Sequence, residues 1–153
     1  MKSLCSEVLA ALEGKTLATA ESCTGGMIGA ALTAVPGASK VYKGGIISYW
    51  SEIKEGLLGV DASDLEKLGP VSKQVAGAMA QGARKALGAD VAVSVTGLAG
   101  PDGDEFGRPV GTVFVGFDNG AKTVVKQHRF DGDRESVRRQ AAEAALRLIL
   151  ENG

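Results

Sequence analysis

A strand that runs straight into a pair of glycines constrains this chain more than any other feature. Thr16-Leu17-Ala18-Thr19-Ala20 is a β-branched, apolar stretch, and it passes into Glu21-Ser22-Cys23-Thr24-Gly25-Gly26. A helical pattern, Met27-Ile28-Gly29-Ala30-Ala31-Leu32, follows at once. A buried strand that hands over to a helix through glycines is a unit of α/β architecture. It is also a place for chemistry, because N–H groups at a helix start are unpaired and point at whatever sits there. They can hold a phosphate or the oxyanion of an acyl-transfer step.

The rest of the chain repeats the alternation. Leu4, Val8, Ala11 and Leu12 share a helical face over about residues 3–13, and residues 16–21 form the buried strand. Residues 24–35 read as a helix ended by Pro36-Gly37. Val41 to Tyr49 reads as a second strand. Residues 51–58 follow as a short helix, with Ser51 as a fair N-cap. Val75, Ala78, Met79, Gly82, Ala83 and Ala86 fall at helical spacing, which predicts a helix over 72–87, capped by Ser72 and stopped near Gly88. Residues 91–95 form a short buried strand, and 97–109 a glycine-rich loop. Residues 110–117 and 122–130 are two further strands, with Asn119-Gly120 between them as a hairpin signal. A last helix starts near Asp133, with Val137, Ala141, Ala144 and Leu148 as its inner stripe. The prediction is one domain over residues 1–153: a three-layer α/β/α sandwich. Its mixed sheet has about five strands, mostly parallel, with one antiparallel strand.

With 153 residues, the chain suits one sizeable core. A formal net charge of −1 and 5% aromatic residues argue against a nucleic-acid partner. No apolar run approaches the ~20 residues of a membrane span, and the N-terminal segment is amphipathic, unlike a signal peptide. The expected location is the cytoplasm. Two cysteines, one histidine and no CxxC make neither a disulfide framework nor a metal site.

Ser22 stands at the carboxyl end of a strand, where ligands gather in open α/β sheets. Its alternatives are helix cap, the commoner use of such a serine, and nucleophile, which requires a base. His128 sits in the alternating run Lys126-Gln127-His128-Arg129, an edge-strand pattern that makes a Ser-His-Asp triad improbable. Lys54, just past the second strand, is the candidate base: in a partly dry pocket a lysine loses its proton more easily. The plainer reading of Lys54 is a solvated surface lysine. Cys23 is a rival nucleophile if the helix start lowers its pKa, against a plainer reading as a small buried hydrophobe. Ser94-Val95-Thr96-Gly97-Leu98-Ala99-Gly100 is another strand end with a glycine-rich loop. Ser22, Tyr49 and Thr96 would line one pocket if their strands are parallel neighbours. Arg134 and Arg138, one turn apart, can share a helix face and grip a phosphate, or simply be solvated.

Seven blocks in order resemble a known family: ATAESCTGG at 18–26, PGAS at 36–39, GGIISYWSEIKEGLLGV at 44–60, GPVS at 69–72, SVTGLAGPDG at 94–103, PVGTVFVGF at 109–117 and FDGDRESVRRQAAEAAL at 130–146. The chain resembles the CinA C-terminal domain family, the nicotinamide mononucleotide deamidases, over about residues 3–151. The resemblance implies hydrolysis of the carboxamide of nicotinamide mononucleotide (NMN), giving nicotinate mononucleotide and ammonia, in pyridine-nucleotide recycling, with no metal or cofactor. It implies Ser22 as nucleophile, Lys54 as general base and Tyr49 beside them. Thr24, Gly25, Gly26, Ser39, Thr96, Gly97, Gly100 and Arg138 would then surround the substrate. In one place the chain departs from the family: Tyr49-Trp50-Ser51 stands where Tyr-Ser-Asn is usual. That segment motivates an alternative, a non-catalytic nucleotide-binding or regulatory module, and Cys23 a third, a thiol enzyme. Ala- and Gly-rich helical faces leave a homodimer or higher homo-oligomer open.

Overall fold

The computed structural model describes residues 1–153 as a five-stranded sheet in the order β2-β1-β3-β4-β5. The strands are β1 (Leu17–Glu21), β2 (Tyr42–Ile47), β3 (Val91–Gly97), β4 (Thr112–Asp118) and β5 (Thr123–Arg129). β1 pairs in parallel with both β2 and β3, whereas β4 runs antiparallel to β3 and to β5. Four strands therefore point one way and β4 the other, as the single late hairpin predicts. Gly120, with φ of 87°, makes the hairpin's left-handed turn residue.

The helices form the two outer layers. α1 (Lys2–Ala11), α2 (Met27–Thr33) and α6 (Arg134–Asn152) lie on one face, and α3 (Ser51–Leu58), α4 (Ala62–Leu68) and α5 (Lys73–Leu87) on the other. β1 shows why. Leu17 joins a 24-residue core cluster with Val8, Ile28, Val137 and Leu148, while Ala18 and Ala20 join a nine-residue cluster with Leu58, Val75 and Met79. The α5 face is thus the thinner core, and it keeps buried polar groups. Ser94 Oγ donates to Ala76 O at 2.6 Å, and Thr96 Oγ1 to Pro70 O at 2.7 Å.

Several boundaries differ from expectation. α2 begins only at Met27, because Gly25 and Gly26 take left-handed φ values of 58° and 107° and turn the chain before the helix can start. Ser51 is the first helical residue and not the cap; Trp50 occupies that position, without a side-chain bond. α4 has no buried residue, hence no apolar stripe to recognise, and is announced only by its cap, Asp61, which accepts from Ser63 N and Asp64 N. Ser72 and Asp133 cap α5 and α6 as expected.

Candidate active site

Two backbone bonds carry the parallel ladders one residue past β1. Ser48 N donates to Glu21 O at 2.8 Å, and Ser22 N to Val95 O at 3.0 Å. Residues in register on parallel strands share a face. Ser48, Ser22 and Thr96 therefore stand in a row on the α5 side, all buried. The sequence suggested a row of Ser22, Tyr49 and Thr96; the alternation of β2 puts Ser48 in that place, and Tyr49 turns outward.

α3 leaves β2 immediately and presents Lys54 and, one turn on, Leu58 to the interior. Lys54 is 1% exposed and has no carboxylate partner. Its ammonium nitrogen donates to Ser22 Oγ at 2.9 Å, to Ser48 O at 2.7 Å and to Tyr49 O at 3.3 Å. Burial lowers its pKa from 10.5 to about 8, against a smaller opposing influence from Cys23. The expectation of a solvated lysine is thus overturned, and so is Ser22 as a helix cap.

The cap is Glu21, which sequence reading passed over as a strand end. Its buried carboxylate accepts from Thr24 Oγ1 at 2.7 Å, Ile28 N at 2.9 Å and Gly29 N at 3.1 Å. An acidic residue just ahead of a helix is the signal that was available. Arg138 braces the same turn from the other face, donating through Nε to Cys23 O at 2.9 Å and through Nη2 to Thr24 O at 3.2 Å. Thr24 and Arg138, expected around substrate, are committed to the turn itself. No oxygen of the chain accepts from the N–H groups of Cys23 or Thr24.

Cys23 points away from Ser22 into the larger core, among the residues packed under α6. Its thiol is pushed up to about 12, chiefly by burial, with the Arg138 charge opposing. The plainer reading of Cys23 as a small buried hydrophobe holds, and the rival reading of an activated thiol at a helix start does not, because the helix starts four residues later.

One residue further along the same three segments, Cys23, Tyr49 and Gly97 line a cleft of about 170 Å³ together with Leu98, Ala99, Gly100, Asp102 and Arg134; Ser22 and Lys54 are not in its lining. Arg134, and not Arg138, is the arginine that faces it. Arg134 donates through Nη1 to Gly100 O at 2.6 Å and through Nη2 to the Tyr49 hydroxyl at 3.1 Å. Gly25 and Gly26 form the turn above Ser22, and the Thr96 hydroxyl is taken up by Pro70. Ser39 is not brought to the site. It lies in the turn before β2, and the six residues of that strand separate the two ends by about 20 Å. His128 is half-buried on edge strand β5, stacked on Phe130 at 5.0 Å, with β3 and β4 between it and β1. Trp50 is 68% exposed, and neither its side chain nor that of Ser51 bonds to Ser22 or Lys54.

Comparison with known proteins agrees with this fold. The CinA C-terminal domain matches residues 1–152. A protein of Enterobacter agglomerans called nicotinamide-nucleotide amidohydrolase PncC is 46% identical, over 95% of this chain and 93% of its own. A protein of the same name from Pseudomonas putida is also 46% identical, over 88% of this chain and 84% of its own. The chain spans only about a third of several other curated relatives, such as a CinA-like protein of Geobacter sulfurreducens, 48% identical over 88% of this chain and 32% of its own. The crystal structure of competence damage-inducible protein A from Klebsiella pneumoniae superposes with a TM-score of 0.96 at 38% identity, covering 99% of this chain and 95% of that one. The chain belongs to the CinA C-terminal domain family.

Proposed function

We propose that residues 1–153 act as a single catalytic unit, a nicotinamide-nucleotide amidohydrolase. It converts NMN and water to nicotinate mononucleotide and ammonia, with Ser22 as nucleophile and Lys54 as its base. One observation carries this reading: a buried lysine, without a carboxylate, 2.9 Å from a serine hydroxyl at a strand end. The PncC relatives of similar length support the substrate. The reading brings with it a role in pyridine-nucleotide recycling in the cytoplasm. The Trp50-Ser51 departure lies outside the dyad, so the non-catalytic alternative gains nothing from it, and the raised Cys23 thiol removes the ground for a thiol enzyme.

The chemistry follows from the hydrogen bonds. A neutral Lys54 amine has two N–H bonds and one lone pair. With its N–H bonds on Ser48 O and Tyr49 O, the lone pair faces Ser22 Oγ. It takes the serine proton as Oγ attacks the carboxamide carbon. The free N–H groups of Cys23 and Thr24 are the nearest candidates to receive the oxyanion. Lys54 then passes the proton to the departing nitrogen, and ammonia leaves an acyl-Ser22. Water, activated by the neutral Lys54, hydrolyses that ester. Arg134 is the cation of the cleft, whose lining also includes Asp102, and it supports a place for the phosphate.

Ammonia release from NMN tests the reading. The parent protein is expected to turn over. Ser22→Ala and Lys54→Ala should each lose at least about a thousandfold in kcat, and Cys23→Ala should retain most of it. Full activity in Ser22→Ala would sink the assignment.

A further inference from the structure

Every buried polar side chain of the site has a hydrogen-bond partner except one. Ser48 is fully buried, and its Oγ makes no hydrogen bond. The only other buried side-chain polar atoms without a hydrogen bond are Asp104 Oδ2 and Arg108 Nη1, which face each other as an ion pair at 3.5 Å. Ser48 has no such explanation. A buried orphan hydroxyl costs stability, and an alanine there would avoid that cost. This orphan belongs to the residue whose carbonyl lies 2.7 Å from Lys54 Nζ, and it stands in register with Ser22 on the same sheet face.

The three acceptors now around Lys54 Nζ serve its resting state. During the reaction one of them changes character. Before attack, Ser22 Oγ is a hydroxyl. After attack, it bears a bond to the substrate carbon and becomes an ester-type oxygen, a weak acceptor. At that moment Lys54 has just become an ammonium with three N–H bonds to satisfy. Two stay on Ser48 O and Tyr49 O. The third, which later goes to the substrate nitrogen, has lost its acceptor on the protein until that transfer, inside a site where an unpaired charged donor is most costly.

We propose that Ser48 is a positioning residue acting through Lys54: its hydroxyl turns about the Cα–Cβ bond and accepts the third N–H of the Lys54 ammonium once Ser22 is bonded to substrate. The inference rests on the Ser22–Lys54 reading above. When the ammonium passes that proton to the amide nitrogen, the C–N bond breaks and ammonia departs. Lys54 returns to the neutral amine, and Ser48 is an orphan again. A bond that exists only in the charged state stabilises the barrier and leaves substrate binding alone, so it acts on kcat and not on KM.

The test combines kinetics with an NMR titration of the Lys54 side chain. Ser48→Ala and the near-isosteric Ser48→Cys, whose sulfur is a poor acceptor, are each expected to lose about tenfold to a hundredfold in kcat, with KM within about twofold. The melting temperature of Ser48→Ala should be no lower than that of the parent, since an orphan hydroxyl has gone. Ser48→Thr, which keeps a hydroxyl, should recover most of the rate. In the titration, Ser22→Ala mimics the loss of the serine acceptor. Adding Ser48→Ala to that variant should lower the Lys54 midpoint by about one unit, a tenfold change in proton affinity, and by less in the parent background. Parental kcat in both Ser48→Ala and Ser48→Cys overturns the proposal, as does a double variant that titrates like Ser22→Ala alone. If the parent releases no ammonia from NMN, the amidohydrolase reading fails, and the titration pair still decides the role of Ser48.

Discussion

Lys54 is held at a cost that has a pH signature. Its folded pKa of about 8 lies below its ordinary 10.5, because burial disfavours the ammonium. Between those two values the unfolded chain binds more protons than the folded one, so stability rises with pH across that window. Below about pH 8 the full penalty applies, on the order of 3 kcal/mol. Denaturant unfolding from pH 7 to 10 should show this rise in the parent, and Lys54→Met should flatten it while abolishing turnover. Catalysis titrates the same group. A base must be neutral to accept the serine proton, so kcat should climb with an acid limb near pH 8. A limb below pH 6 would point to a carboxylate base in its place. Glu21 shows the opposite economy at the same scale. One buried carboxylate caps α2 and anchors Thr24, while its own carbonyl receives Ser48, so the residue before the nucleophile fixes strand, turn and helix together.

At the scale of elements, the base depends on a close approach. A Cβ built on Gly82 of α5 would lie 1.9 Å from Leu58 O, at the end of the helix that carries Lys54. Gly82→Ala must push α3 away from α5. The expected loss is about 2 kcal/mol of stability and a larger fall in kcat than that loss explains, because Lys54 moves with its helix. A variant with parental kinetics would show that α3 is not positioned by this contact. The same scale shows what sequence could reveal. The strands β1, β2 and β3 and the long helices α5 and α6 were legible as periodic apolar patterns, and their order predicted the sandwich. α4 was not, since a helix that buries no residue fully and leans on the core only through Leu65 leaves no clear period. The start of α2 was misjudged because helical spacing continues backward through Gly25 and Gly26, whose left-handed backbone no pattern records. Ser22 and Lys54 were legible as strand-end chemistry and by resemblance. Ser48, Glu21 and the exchange of roles between Arg134 and Arg138 required the ladder register, which depends on contacts between distant segments.

At the scale of the whole molecule, the sheet divides labour. The face under α1, α2 and α6 holds the larger apolar core, and the opposite face holds Ser22 and Lys54 beside a smaller one. β1, β3 and β4 are paired on both sides, whereas β2 and β5 are edges. Native-state hydrogen exchange should find the slowest amides in β1, β3 and β4, and faster ones in β2 and β5. Uniform protection across the sheet would mean that the edges are covered by something beyond this chain.

The reacting groups come from two short continuous pieces, residues 21–26 and 48–54. The second carries the amine together with both carbonyls that orient it, so these three arrive on one short piece of chain, which α5 holds in place through α3. A protein engineer wishing to transplant the dyad would need two adjacent parallel strand ends about 4.8 Å apart, one acidic residue to pin the first turn, and a helix that departs at once from the second. The portable unit is a pair of neighbouring loops, and the remaining layers of the sandwich act as the frame that keeps them in step.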